Sequence, residues 1–150
     1  MLQLETIQNA YSFHSYDDKS AKLIEPNRDI HSNQSIEDEL LEITTTSLIY
    51  QELLVCAGFP DSFAEFDQDC IEKLLKYDAE IYLIGTGNTP HFPDKTILKT
   101  IAENKLAIDF MDTGAACRTF NILTGEYRKV AVLIFFEHSQ DKADKSPDND

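Results

Sequence analysis

Apolar and polar positions repeat along this chain with two periods, and the change of period divides it into halves. Over "AYSFHSY" the period is two: Tyr11, Phe13 and Ser15 share one face, which predicts a strand. "AKLIEP" predicts the returning strand, stopped by Pro26, which has no N–H to continue a ladder. Most of residues 17–42 is polar and acidic, and "HSNQSIEDELLE" has little core-forming content, so this stretch reads largely as loop. "TTTSLIYQELLVCAGF" is rich in β-branched and apolar residues and predicts one or two strands.

The second half alternates between helical and strand periods. "FDQDCIEKLLKY" sets Ile71, Leu74 and Leu75 on one helical face, with Asp67 as N-cap. Glu80 to Ile84 predicts a short strand ending at Gly85. "FPDKTILKTIAENK" sets Ile97, Leu98, Ile101 and Ala102 on one face, with Pro93 suited to the first helical turn, where a missing N–H costs nothing. "LAIDFM" predicts a further strand. In "DTGAACRTFNILTG" the residues Ala116, Phe120 and Leu123 follow helical spacing; Asp112 can cap the start, and Gly125 can end the helix in the left-handed conformation. "RKVAVLIFF" predicts a central strand buried on both faces. This order predicts a parallel βαβ core. With the N-terminal strand pair added, the fold class is α/β: a compact three-layer domain over residues 1–137 with an antiparallel β appendage. An acidic insertion lies at about 17–42, and 138–150 reads as a disordered acidic tail.

Composition narrows the function more than the fold. The chain has 150 residues, 42% hydrophobic with nine Phe, enough for a core without staples. Its net charge of -14 argues against nucleic acid and anionic lipid, which need basic surfaces. No apolar run approaches the roughly 20 residues of a membrane helix. The N-terminus lacks the basic start and apolar core of a signal peptide, so a soluble, cytoplasmic protein is expected. Cys56, Cys70 and Cys117 are widely spaced and read as reduced thiols, with Cys117 packed among small residues. His14, His31, His91 and His138 do not pair at metal-ligand spacing.

Gly85-Thr86-Gly87 after a strand raises the question of a dinucleotide turn. Pro90 holds the position of the third fingerprint glycine, the helix does not follow directly, and no Lys-Ser/Thr is present. The reading taken is tight turning and close strand–helix packing. In a parallel pair this turn and the Met111–Ala115 turn meet at the carboxyl edge of the sheet, the usual ligand position. The candidate binding crevice is therefore Thr86, Gly87, Asn88, Asp112, Thr113, Arg118 and Asn121. None of these forms a nucleophile–base pair by spacing. Arg118 can serve in a structural pair with an acid such as Asp109, or as a substrate clamp.

Ile84 to Gly87, then Pro93, then Met111-Asp112-Thr113, Ala115-Ala116, Arg118-Thr119-Phe120-Asn121 and Leu123, followed by Arg128, is similar to the pattern of the MTH-938-like domains. The resemblance covers residues 80–136 well and the first half in outline. It implies a three-layer α/β fold with a mixed sheet, and a glycine turn unrelated to dinucleotide binding. That family includes a mitochondrial assembly factor for respiratory complex I and a vertebrate protein linked to adipogenesis, and has no established catalytic mechanism. The expected function is thus a non-enzymatic assembly or protein-interaction factor with a protein partner. The alternative is a small-molecule-binding domain or enzyme using the crevice. No catalytic residue, cofactor or metal is assigned. The long acidic insertion and Glu126-Tyr127 before Arg128 depart from the family pattern.

Overall fold

A computed structural model describes residues 10–26 and 39–137. The expected tail at 138–150, and residues 27–38 of the acidic insertion, lie outside the described residues. The element order is β1 (Ser12–Tyr16), β2 (Ala21–Ile24), β3 (Leu41–Ile43), β4 (Ser47–Tyr50), β5 (Leu53–Val55), α1 (Gln68–Leu75), β6 (Ile81–Gly85), α2 (Lys95–Glu103), β7 (Ile108–Met111), α3 (Thr113–Gly125) and β8 (Val130–Ile134). A 3-10 turn, Phe63–Glu65, precedes α1.

The main sheet has the order β5-β4-β8-β6-β7. Strands β6, β7 and β8 are parallel, and β4 joins β8 antiparallel, so the sheet is mixed. Strand β8 is central and every residue of it is buried. Its side chains alternate: Val130, Val132 and Ile134 enter one core with Phe13, Leu23, Ile43 and Phe120, while Ala131 and Leu133 enter the other with Ile71, Leu74, Ile97 and Ile101. A strand covered on both faces must be apolar at every position, and the "VAVLI" run meets that demand. One face carries α3 and a three-stranded antiparallel sheet, β1-β2-β3; the other carries α1 and α2. The predicted strand pair is thus three strands, because Leu41–Ile43, read as loop, pairs with β2. This small sheet is part of the core, through Phe13, Ala21, Leu23 and Ile43.

Each helix begins on an aspartate. Asp67, Asp94 and Asp112 accept from the backbone N–H of Cys70, Ile97 and Ala115 at 3.2, 3.1 and 2.8 Å. These bonds satisfy donors that the helix itself leaves open. The expected position of Pro93 is corrected: Asp94 caps α2, which starts at Lys95, so Pro93 precedes the helix. Helix exits differ more from expectation. Gly125 is the last helical residue and is not left-handed; Tyr127 takes that conformation, with φ 64°. Asp78 and Lys105 do the same after α1 and α2. An L-residue there costs roughly 1–2 kcal/mol, offset by the strand pairing that each turn allows. The buried faces of α1 and α2 are also narrower than the spacing implies. Ile71, Leu74, Ile97 and Ile101 are buried, while Leu75, Leu98 and Ala102 face outward. Among the described residues no helix is long and apolar enough to cross a membrane.

Candidate functional site

Because β6 and β7 run parallel, their carboxyl ends place two turns side by side. Thr86 N–H donates to Met111 O at 2.8 Å, and Thr113 N–H donates to Gly87 O at 2.8 Å. The Thr113 hydroxyl joins three segments: it donates to Phe135 O at 2.9 Å and accepts from Gly87 N–H at 2.9 Å. Thr86 is buried, and its hydroxyl donates to Thr89 O at 2.8 Å while accepting from His91 N–H at 3.0 Å. Asn88 N–H donates to the Glu137 carboxylate at 3.0 Å. A dinucleotide turn offers free N–H groups to a phosphate. Here those of Thr86, Gly87, Asn88 and His91 are all engaged, and a carboxylate stands on the Asn88 N–H, where its charge would oppose an anion.

The two glycines answer different demands. Gly85 sits so close to α3 that a Cβ would lie 3.0 Å from both Thr113 Cα and Ile134 Cδ1. Gly87 has φ +109°, which L-residues rarely adopt.

The structure brings five of the seven sequence-predicted residues around one cleft of about 240 Å³: Gly87, Asn88, Asp112, Thr113 and Arg118. It withholds two. Thr86 is held inside the turn. Asn121 faces β1, where its amide accepts from Phe13 N–H at 2.8 Å and donates to Phe13 O at 2.9 Å. Arg118 does not pair with Asp109; its guanidinium donates to the Tyr16 hydroxyl, which arrives from β1. Tyr16, Asp17 and Asp18, at the end of β1 and in the turn after it, form the far wall. Asp17 closes that turn by accepting from Lys19 and Ser20 N–H, both at 2.8 Å, and these bonds hold its carboxyl below the usual range.

Sequence reasoning missed these three residues and Glu137. For Glu137 a signal existed: it follows a strand parallel to β6, so it emerges at the same edge. For Tyr16 there was none, because the docking of one sheet on another leaves no mark on local spacing. A second and larger cavity, about 490 Å³, lies on the other side of the glycine turn, between the 3-10 turn and the start of α2. Its aromatic wall joins residues distant in sequence, Phe63, Phe66, Phe92 and Phe136, and no local pattern announces it. Among the described residues no group of His, Cys, Asp and Glu is arranged to hold a metal ion. Cys70 and Cys117 are buried, and burial pushes the Cys117 thiol up to about 12; Cys56 is exposed.

A family profile described as a protein of unknown function (DUF498/DUF598) matches residues 19–135. The chain is 32% identical over 95 residues to the 13 kDa major membrane protein of Francisella tularensis subsp. holarctica, covering 63% of this chain and 72% of that one. It is 38% identical over 61 residues to NADH dehydrogenase [ubiquinone] 1 alpha subcomplex assembly factor 3 of Xenopus tropicalis, covering 41% of this chain and 33% of that one. Its rat counterpart is 30% identical over 83 residues, 49% of this chain and 45% of its own. Alignment thus spans less than half the length of either assembly factor. Among solved structures, a Xanthomonas campestris protein superposes with TM-score 0.66 at 21% identity, covering 91% of this chain and 93% of that one. A Bordetella pertussis Mth938-like domain superposes with TM-score 0.61 at 18% identity, covering 95% and 97%. The mixed sheet, its two core layers and the matched profile agree: the chain belongs to the DUF498/DUF598 family and has the Mth938-like fold.

Proposed function

We propose that this protein is a non-enzymatic assembly or protein-interaction factor acting on a respiratory or membrane complex. The observation that carries the reading is the internal engagement of the polar groups at the carboxyl edge. Asp112 caps α3, Thr113 joins three segments, Thr86 closes its own turn and Glu137 caps Asn88. These groups hold a rigid surface in place, as an interaction module requires. Relatives named as a complex I assembly factor and a major membrane protein point to the kind of partner. Tagged protein at native levels, crosslinked before lysis and recovered with its membrane fraction, should enrich a specific subunit or assembly intermediate. If nothing rises above a control of matched net charge, the reading fails.

A second reading, ligand binding in the smaller cleft, draws on Arg118 beside Tyr16 and the α3 N-terminus. At about 240 Å³ the cleft lies below the usual 300–1,000 Å³ of ligand sites. A metabolite screen tests it: at 100 times Kd a true ligand stabilises by about 2.7 kcal/mol. A broad screen without any thermal shift would count this reading out.

A further inference from the structure

The larger cavity on this edge has a chemistry of its own. Its volume of about 490 Å³ is within the range that accepts a ligand or a partner side chain. The base is aromatic and fixed: Phe66 and Phe136 are buried, and Phe63 stacks on Phe66 at 5.5 Å and against His91 at 6.4 Å. The mouth carries Phe92. Of the nine Phe residues it alone is exposed, at 64%, meeting Phe110 through a tilted contact at 6.4 Å. Its open face is free to stack on a group that enters the cavity. Two carboxylates also line it, Asp94 and Glu137, each accepting one backbone N–H. Among the described residues no Lys or Arg lines the cavity; Lys95, next to Asp94 in sequence, is not among its walls. The whole chain adds a net charge of -14, which draws cations to such a mouth.

An open aromatic face and two carboxylates, with His91 as the basic residue among the described walls and its ring stacked on Phe63, together select a planar cation. The geometry points to a docking site for an arginine side chain of a basic protein partner, stacked on Phe92 and paired with Asp94 and Glu137. Guanidinium suits this better than ammonium, because it is planar, stacks on rings and pairs with carboxylates through a fixed fork. The site rests on the protein-interaction reading and names what the partner must present.

The test uses the full chain and three capped tripeptides, Gly-X-Gly, with X arginine, citrulline or leucine, followed by amide chemical shifts. The arginine peptide should saturate, with shifts confined to residues 62–66, 91–94 and 136–137. The citrulline and leucine peptides should bind at least about fivefold more weakly. F92A should weaken the arginine peptide to a similar degree with an unchanged Tm, since the ring is exposed. Unsaturable shifts spread over the acidic surface, equal binding of citrulline or leucine, or unaltered binding by F92A would each overturn the proposal. Capture from the native cell separates the two ideas. A partner recovered equally by wild type and F92A overturns the arginine site and leaves the assembly reading standing. No partner recovered by either, with arginine-peptide binding intact, overturns the assembly reading and leaves the site.

Discussion

Replacing Asn121 is expected to loosen the small sheet from α3, and the structure sets the size of the effect. The Asn121 amide makes both hydrogen bonds that the Phe13 backbone offers on that side, at 2.8 and 2.9 Å. Phe13 itself is buried, with its ring edge-on to Phe120 at 5.6 Å. N121A removes both partners at once and leaves an N–H and a C=O facing helix α3. Each orphaned group costs about 1–3 kcal/mol when fully buried; this site is half-buried, so about 2–4 kcal/mol in total is expected. At this chain length that lowers Tm by roughly 5–15 °C. N121D keeps an acceptor for the Phe13 N–H but sets a carboxylate against the Phe13 carbonyl. Its folded-state pKa is therefore raised, and the stability it contributes is present at low pH and lost as pH rises through that value. N121D should thus gain on N121A below about pH 4 and lose the advantage above it. Thermal melts across pH, with hydrogen exchange at the Phe13 amide, measure both effects. A Tm within 2 °C of wild type, with the Phe13 amide still protected, would refute the clamp. The consequence reaches the cleft, because the same strand carries Tyr16 to Arg118.

Four further outcomes are expected. D112A should lose about 0.5–2 kcal/mol in urea unfolding and D112N very little, since Asn also accepts from the Ala115 N–H; a stable D112N that no longer captures its partner would make Asp112 part of the binding surface. G87A, with φ +109° and a Cβ 3.0 Å from the Glu137 carboxylate, and G85A, with its Cβ 3.0 Å from Thr113 Cα, should each cost roughly 1–3 kcal/mol; unchanged urea midpoints would show that the turn yields. Native protein should expose one thiol, Cys56, to an aromatic disulfide reagent at pH 8, with Cys70 and Cys117 reacting only after unfolding. Burial raises the Cys117 pKa from 9.0 to about 12, so the unfolded chain loses this proton first. The corresponding stability is complete below pH 9 and falls between pH 9 and 12, which alkaline urea melts can check.

Local chemistry was enough for a large part of this protein. The unbroken apolar run of β8 marks a strand covered on both faces, because no position there can afford a polar side chain. Aspartates at 67 and 112 mark helix starts, because an open N–H is satisfied by the nearest short acceptor, whereas the sequence reading sets Pro93 in the first turn of α2 and passes over the cap at Asp94. Parallel order followed from helices placed between strands, and with it the meeting of the two turns at one edge. The tertiary structure decided what depends on contact between distant segments. Leu75 and Leu98 have the right spacing to be buried, yet the packed fold leaves both exposed while Ile71, Leu74, Ile97 and Ile101 fill the core. Tyr127 ends α3 in place of Gly125, because β8 must start in register with β6. Asn121 belongs to β1 and not to the cleft, and Tyr16 completes the cleft, since the docking of the small sheet on α3 is set by shape and buried area. The aromatic cavity is the extreme case. Its walls come from residues 62–66, 91–94 and 136–137, and only the packed fold brings them to one place.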